Sequence, residues 1–252
     1  MIKIGRISYL NTEPFFYRWP SRPDMQLIAG TPRELALAAQ DGQVDCAPLP
    51  LVECWRLEKD FEPLGDGGIA VREAAGSVLL FSKKKIRDLG GSIIGVTEET
   101  STSVILLDVL LRVRHGIQAT LRRGFLPDDH ARLLIGDSAL RDREKGLPGY
   151  PLIYDLGREW VTWQGRPFVF AQWVVRKSCS QETKRLLQET CASSLRQGVE
   201  AVQEIADFWS SRLSLSPPLL RDYLHGFSYE LREPEREAMI FFRSLREGEK
   251  VS

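Results

Sequence analysis

Apolar runs that pass into a polar loop and then into a helix recur along this chain, and this repeat limits its fold more than any other feature. The first copy consists of an apolar run over residues 2–7, a polar loop over residues 8–12 and a helix start at Pro14. A later copy consists of residues 93–96, the loop 97–103 and an amphipathic helix. Strands joined by short helical crossovers form parallel sheets covered by helices. The sequence therefore predicts an α/β protein.

A strand–helix–strand pattern, a helix cap and a helical stripe support the α/β prediction. Residues 25–47 predict a strand, a helix and a second strand with short links. Thr31 is the expected N-cap of that helix, and Glu34 completes a capping box. Residues 181–213 carry a long helical stripe that the Pro-Pro pair at 217 is expected to end.

The pattern predicts two α/β lobes with a cleft between them. We expect lobe 1 to comprise residues 1–82 plus 176–252, with the C-terminal helices, and lobe 2 to comprise residues 83–175. Extended segments over residues 77–85 and 168–175 would join the lobes.

Charge and composition favour a small-molecule partner. Lys plus Arg and Asp plus Glu both number 34, so the formal net charge of the 252-residue chain is zero. No long basic run offers a surface for nucleic acid or an anionic membrane. We find neither a leader-like N-terminus nor a run approaching about 18 apolar residues, and therefore expect a cytoplasmic protein.

The cysteines predict neither disulfides nor a metal centre. The four residues, Cys46, Cys54, Cys179 and Cys191, form no CxxC pair, and no histidine lies at metal-ligand spacing. We therefore expect reduced thiols, no metal and no cofactor.

The loop after the first strand is the first candidate for ligand contact, because ligands of open α/β sheets bind outside the carboxyl ends of strands. Ser8, Tyr9 and Asn11 lie in this loop. The Asn11 amide can both donate and accept a hydrogen bond, which suits an anionic or hydroxylated ligand. The structural alternative is that Asn11 caps the helix at Pro14.

A second candidate is the helix start after residues 93–96. Thr100, Ser101, Thr102 and Ser103 crowd this N-terminus, where unpaired N–H groups and the helix dipole favour a carboxylate or phosphate; the first three are the candidate binding residues. Alternatively, one hydroxyl caps the helix and the others are solvated. Glu98 and Glu99 either favour the dipole or form an acid/base pair.

Three further residues have a structural and a functional interpretation. Ser77 begins an apolar strand after Gly76 and is either a turn residue or a ligand contact. Asp137 follows the apolar run 132–135 and either orients a ligand hydroxyl or caps a helix beginning at Ser138. Trp173 either lines the cleft or packs in the core.

An ordered set of short motifs gives the chain a family resemblance. The motifs are ISYLN at residues 7–11, SVLLFS at 77–82, TSV at 102–104, LIGDSAL at 134–140, DLGREW at 155–160 and PFVFAQW at 167–173. In this order they resemble the chorismate dehydratases of the futalosine route to menaquinone. The resemblance implies a fold like that of the type II periplasmic binding proteins.

The resemblance also implies an activity. Members of the family remove water from chorismate to give 3-[(1-carboxyvinyl)oxy]benzoate, and Asn11 and Ser77 match the active-site amide and hydroxyl. The implied small-molecule partner is chorismate. We expect a monomer or homodimer without a cofactor. Glu98 and Glu99 depart from the family pattern, where smaller residues occupy this loop.

Two other functions are compatible with the sequence. One is a cytoplasmic solute-binding or sensor protein for a small aromatic or carboxylic acid. The other is the sister futalosine-pathway enzyme on the same fold, which acts on cyclic dehypoxanthine futalosine, although the N-terminal motif of that enzyme has no match here.

Overall fold

The computed structural model describes residues 1–248 and divides into two units. The first unit comprises Met1–Ala70 and Phe170–Leu231. The second comprises Val71–Val169 and, among the described residues, 232–248.

Each unit contains one sheet and several helices. The strands are β1 (Ile2–Ile7), β2 (Met25–Gly30), β3 (Cys46–Pro50), β4 (Phe61–Val71), β5 (Val78–Ser82), β6 (Ile93–Val96), β7 (Thr120–Arg123), β8 (Ala131–Ile135), β9 (Leu152–Asp155), β10 (Phe168–Arg176) and β11 (Phe227–Glu230). The α-helices are α1 (Glu13–Phe16), α2 (Pro32–Gln40), α3 (Leu51–Arg56), α4 (Thr102–Val109), α5 (Gly136–Lys145), α6 (Leu156–Gln164), α7 (Gln181–Glu200), α8 (Val202–Leu213), α9 (Pro217–His225) and α10 (Glu233–Glu247). A π-helical turn, Leu110–Arg114, extends α4. Within residues 1–248, no helix combines the length and the apolar character needed to cross a membrane.

The sheet of the first unit has the strand order β11-β4-β10-β3-β1-β2. β1 pairs in parallel with β2 along its whole length, and α2 forms the crossover to β3 with the predicted capping box between Thr31 and Glu34. Pro48 and Pro50 lie inside β3, although proline lacks the N–H group that a strand donates to its neighbour. They are tolerated because β3 pairs with β1 only at Cys46, so the ladder on that side ends before either proline.

The sheet of the second unit has the order β7-β6-β8-β5-β9. β6 is parallel to β7 and β8, whereas β5 is antiparallel to β8 and β9. The carboxyl ends of β6, β8 and β9 therefore lie at the same edge of the sheet as the beginning of β5. This edge carries most of the candidate residues of the unit.

The bounds of the units differ from those expected for the lobes. β5 belongs to the second unit because it lies between β8 and β9, and most of β10 belongs to the first because it pairs with β3. Helix α10 belongs to the second unit, where Phe242 packs against Trp160 and Phe168 with ring centroids 5.5 and 4.9 Å apart. The Pro-Pro pair at 217 begins α9 rather than only ending the preceding helix, because proline is favoured in the first turn.

Helix α7 supports the chain that follows the first loop. A Cβ added to Gly198 would lie 2.5 Å from Cα and 2.7 Å from the carbonyl carbon of Pro14, so only glycine permits this contact. One turn earlier, the Ser194 hydroxyl donates to the carbonyl oxygen of Tyr17 over 2.5 Å. α7 thereby holds α1, which begins two residues after Asn11.

We predict that Gly198→Ala lowers the free energy of unfolding. Alanine gains about 1 kcal/mol over glycine inside a helix, but overpacking against Pro14 costs about 1–3 kcal/mol, so urea unfolding should show a net loss. Gly90→Ala is the matched control, because its added Cβ would have no neighbour closer than 3.8 Å. A Gly198→Ala protein as stable as wild type would show that α1 and α7 can separate without cost.

Candidate functional site

The first candidate segment is a short, tightly bonded loop after β1. Residues Leu10–Thr12 form a 3-10 turn that leads directly into α1. The buried Thr12 hydroxyl lies 2.7 Å from the carbonyl oxygen of Ile7 and 2.8 Å from that of Tyr9. The backbone N–H of Ser8 donates to the carbonyl oxygen of Gly30 over 3.1 Å. Ser8 and Tyr9 are thus held at the carboxyl end of β1 by Thr12, a residue that the sequence analysis did not select.

Asn11 does not cap the following helix. The residue at the N-cap of α1 is Thr12, and its side chain makes no capping hydrogen bond. The Asn11 Oδ1 atom is buried and has no hydrogen-bond partner among the residues that the structure describes. An unsatisfied buried acceptor costs about 1–3 kcal/mol, and a donor on a ligand would remove that cost. Asn11 is also the only asparagine in the sequence.

Trp173 lies in the aromatic core of the first unit. Its side chain has no exposed surface, and its ring centroid lies 5.6 Å from those of Phe15 and Phe16 and 6.2 Å from that of Trp19. Its Nε1 has no acceptor among residues 1–248. Packing accounts for the position of Trp173, and its role as a binding residue stays a prediction.

In the second unit, strand topology brings several predicted residues to one sheet edge. Ser77 immediately precedes β5, and Asp137 lies just after β8. The backbone N–H of Gly136 donates to the carbonyl oxygen of Ser77 over 2.8 Å. The backbone N–H of Thr97 donates to the carbonyl oxygen of Leu133 over 3.1 Å. Ser77, Asp137 and the loop that begins at Thr97 therefore share this edge, as ligand-binding residues of α/β sheets commonly do.

The hydroxyl residues before and in α4 are buried. Thr100, Ser101 and Thr102 are 2%, 8% and 3% exposed, so the alternative in which they are solvated is wrong. Ser101 occupies the N-cap position, yet its side chain makes no capping hydrogen bond. The Arg123 guanidinium donates to the carbonyl oxygens of Thr97 and Thr100 over 2.9 and 2.7 Å. A helix N-terminus with a cation beside it favours an anion.

No sequence signal pointed to Arg123, because the short strand β7 that ends at this residue has no clear strand pattern.

Asp137 lies in the first turn of α5, whose N-cap is Ile135, so the capping alternative is wrong for this residue. There it contributes negative charge beside the turn that contains Ser77. Glu98 is exposed and Glu99 is half-buried.

The thiols and one histidine are poorly suited to nucleophilic or acid chemistry near neutral pH. Burial raises the pKa of Cys46 and Cys191, and it raises the pKa of Cys54 to about 12, so these thiols stay protonated. Burial, together with the neighbouring Arg114, lowers the pKa of His115. Over residues 1–248, no group of three or more His, Cys, Asp or Glu side chains is placed to hold a metal ion.

Both the sequence and the fold of this chain are similar to those of known proteins. Residues 2–247 match the model of a family described by the words menaquinone biosynthesis. The chorismate dehydratase of Thermus thermophilus is 29% identical over 259 residues, covering 95% of this chain and 93% of that protein.

Among solved structures, a crystal structure of an Archaeoglobus fulgidus protein has a TM-score of 0.78 at 15% identity, covering 98% of this chain and 97% of that one. The periplasmic aliphatic sulphonate binding protein SsuA of Escherichia coli has a TM-score of 0.65 at 12% identity, with coverage of 98% and 85%. A Candida albicans protein described as having the generic periplasmic binding protein fold has a TM-score of 0.61 at 12% identity, with coverage of 100% and 92%. The chain therefore has the periplasmic-binding-protein fold and belongs to the menaquinone-biosynthesis family.

Proposed function

We propose that this protein is a chorismate dehydratase, a carbon–oxygen lyase that converts chorismate into 3-[(1-carboxyvinyl)oxy]benzoate and water. The observation that carries the proposal is the similarity to the Thermus thermophilus chorismate dehydratase across 95% of this chain and 93% of that protein. The match to the menaquinone-biosynthesis family over residues 2–247 is consistent with it.

To catalyse this reaction, a protein mainly has to bind and orient the substrate. A ring carbon of chorismate loses a proton, and the electron pair of that C–H bond forms the third double bond of the ring. The neighbouring C–O bond breaks, and the hydroxyl group leaves as water after taking up a proton. Because the product ring is aromatic, the enzyme mainly has to hold the dianion, align the leaving hydroxyl and assist one proton transfer.

Asn11 and Ser77 are the proposed catalytic residues. Neither is a strong base at neutral pH, so they position and polarise the substrate instead of taking its proton. The buried Asn11 Oδ1, which has no partner among residues 1–248, supports a role as acceptor for a substrate hydroxyl. The proton acceptor we propose is the enolpyruvyl carboxylate of chorismate itself.

Ser8, Tyr9, Asp137 and the residues at the start of α4 are proposed to bind the substrate. The N-terminus of α4 would hold one carboxylate, with Thr100, Ser101 and Thr102 as donors. The Arg123 guanidinium, 2.7 Å from the carbonyl oxygen of Thr100, adds positive charge at that end.

An absorbance assay separates this proposal from the two other functions. Purified protein incubated with chorismate should remove the diene absorbance and produce the aromatic product. A solute-binding or sensor protein would bind an acid without turnover. The sister futalosine-pathway enzyme would leave chorismate unchanged and consume cyclic dehypoxanthine futalosine.

We predict that Asn11→Ala and Ser77→Ala each lower kcat by a factor on the order of 10² to 10³, the effect expected when one hydrogen-bonding group that stabilises the transition state is removed. Both kcat and kcat/KM should fall, while binding of chorismate or product persists. Ser82→Ala is the matched control, because Ser82 lies at the other end of β5 and its hydroxyl donates to the carbonyl oxygen of Lys84. Since Asn11 is the only asparagine, ¹⁵N-Asn labelling yields a single pair of side-chain amide signals, which should shift when product binds.

The opposite pattern would contradict this mechanism. If Glu98→Gln or Glu99→Gln abolished turnover while the Asn11 and Ser77 variants stayed near wild type, a protein carboxylate would be the base.

We predict that Thr102→Val raises the KM for chorismate with a smaller effect on kcat, because a binding contact at the start of α4 is lost. Thr120→Val is the control, since Thr120 is exposed at the beginning of β7. An unchanged KM for the Thr102 variant would argue against a carboxylate at this helix start.

We expect the enzyme to act without a metal or cofactor, as a monomer or homodimer in the cytoplasm. Turnover of chorismate should survive incubation with EDTA, because the histidines and cysteines have no metal-ligand spacing. A zinc-dependent enzyme treated in parallel verifies the chelation. Activity that EDTA removed and one divalent metal restored would overturn this prediction.

A further inference from the structure

The side chain of Asp155 joins two segments of the second unit. Asp155 is the last residue of β9 and the N-cap of α6, where its Oδ1 accepts from the backbone N–H of Arg158 over 3.0 Å. The same carboxylate accepts from the N–H of Ala75 over 3.0 Å and from that of Gly76 over 2.6 Å. It therefore satisfies three backbone donors, two of which belong to a turn about 80 residues away in sequence.

That turn leads directly to Ser77. The carbonyl oxygen of Gly76 accepts from the Arg143 guanidinium over 3.2 Å, and that of Ser77 accepts from the N–H of Gly136 over 2.8 Å. Asp155 holds the N–H groups just before Ser77, so the backbone is fixed on both sides of that residue.

Close packing of α6 against the turn makes this contact possible. A Cβ added to Gly157 would lie 3.0 Å from the backbone nitrogen of Ala75 and 3.2 Å from its Cβ. The glycine allows the first turn of α6 to approach the segment that Asp155 binds.

We propose that Asp155 is a positioning residue for Ser77, which it orients through the N–H groups of Ala75 and Gly76. This inference rests on the proposed function, in which the Ser77 hydroxyl contacts the substrate. A displacement of about 1 Å at a catalytic group can cost a factor of about 10² in rate. A carboxylate suits the task because both of its oxygens accept, whereas the amide of an asparagine would direct N–H donors at one of the two backbone N–H groups.

Two substitutions separate this role from helix capping. Asp155→Ser retains a good N-cap residue for the N–H of Arg158, but it removes the Oδ2 atom that accepts from Gly76, and its shorter side chain is expected not to reach the turn. Asp155→Asn retains the size of the side chain but loses one acceptor. We expect each variant to lower kcat about 10- to 100-fold, with a smaller change in KM.

A double-mutant cycle tests whether the effect passes through Ser77. The variant combining Ser77→Ala with Asp155→Ser should be no slower than Ser77→Ala alone. Ser180→Ala is the control for capping, because the Ser180 hydroxyl caps α7 through the N–H of Thr183 over 3.1 Å; it should leave kcat unchanged. Effects of Ser77 and Asp155 that multiply, or a wild-type kcat for Asp155→Ser, would overturn the proposal.

Hydrogen exchange distinguishes failure of this inference from failure of the proposed function. The amides of Ala75 and Gly76 should exchange faster in Asp155→Ser than in wild type, whatever the substrate. Unchanged exchange of these amides would refute the positioning role, whereas a wild-type protein that leaves chorismate intact would refute only the proposed function.

Discussion

The second unit depends on the antiparallel pairing of β5 between β8 and β9. This pairing turns the beginning of β5 toward the edge where β6, β8 and β9 end, so residues from four separate parts of the chain meet there. Backbone groups at such an edge have lost their strand partners and must find others. Here Asp155, Arg143 and Gly136 provide them, and Ser77 lies in the segment that they hold.

In the first unit, hydrogen bonds and close packing hold the loop that contains Asn11. Thr12 holds the loop after β1 through two carbonyl oxygens, and Gly198 allows α7 to approach α1 closely. The result is a buried Asn11 oxygen without a partner among residues 1–248, in a loop held by the Thr12 hydroxyl and by the N–H groups of Ser8 and Thr12. In the proposed function, a substrate donor satisfies this oxygen, and a loop that is already ordered loses less entropy when the substrate binds.

The candidate residues of both units are mainly amides, hydroxyls and helix N–H groups. Burial keeps the Cys46, Cys54 and Cys191 thiols protonated. In the proposed function, the amide, hydroxyl and N–H groups bind an anion and polarise a hydroxyl, while the proton goes to a carboxylate of the substrate. An elimination that gains an aromatic ring fits this chemistry, because the driving force comes from the substrate.

The sequence alone determined the α/β class, the loops after β1 and β6, and the capping box of α2, because each depends on residues within one or two turns of each other. It also identified Asn11, Ser77 and Asp137 as candidates, but it left capping and ligand contact open for Asn11 and Asp137. Only the tertiary structure decided against capping, placed Trp173 in the core, and assigned β5 and α10 to the second unit. It also brought Asp155 to Ala75 and Gly76. These outcomes depend on strand pairing and packing between distant segments, which no local pattern of residues encodes.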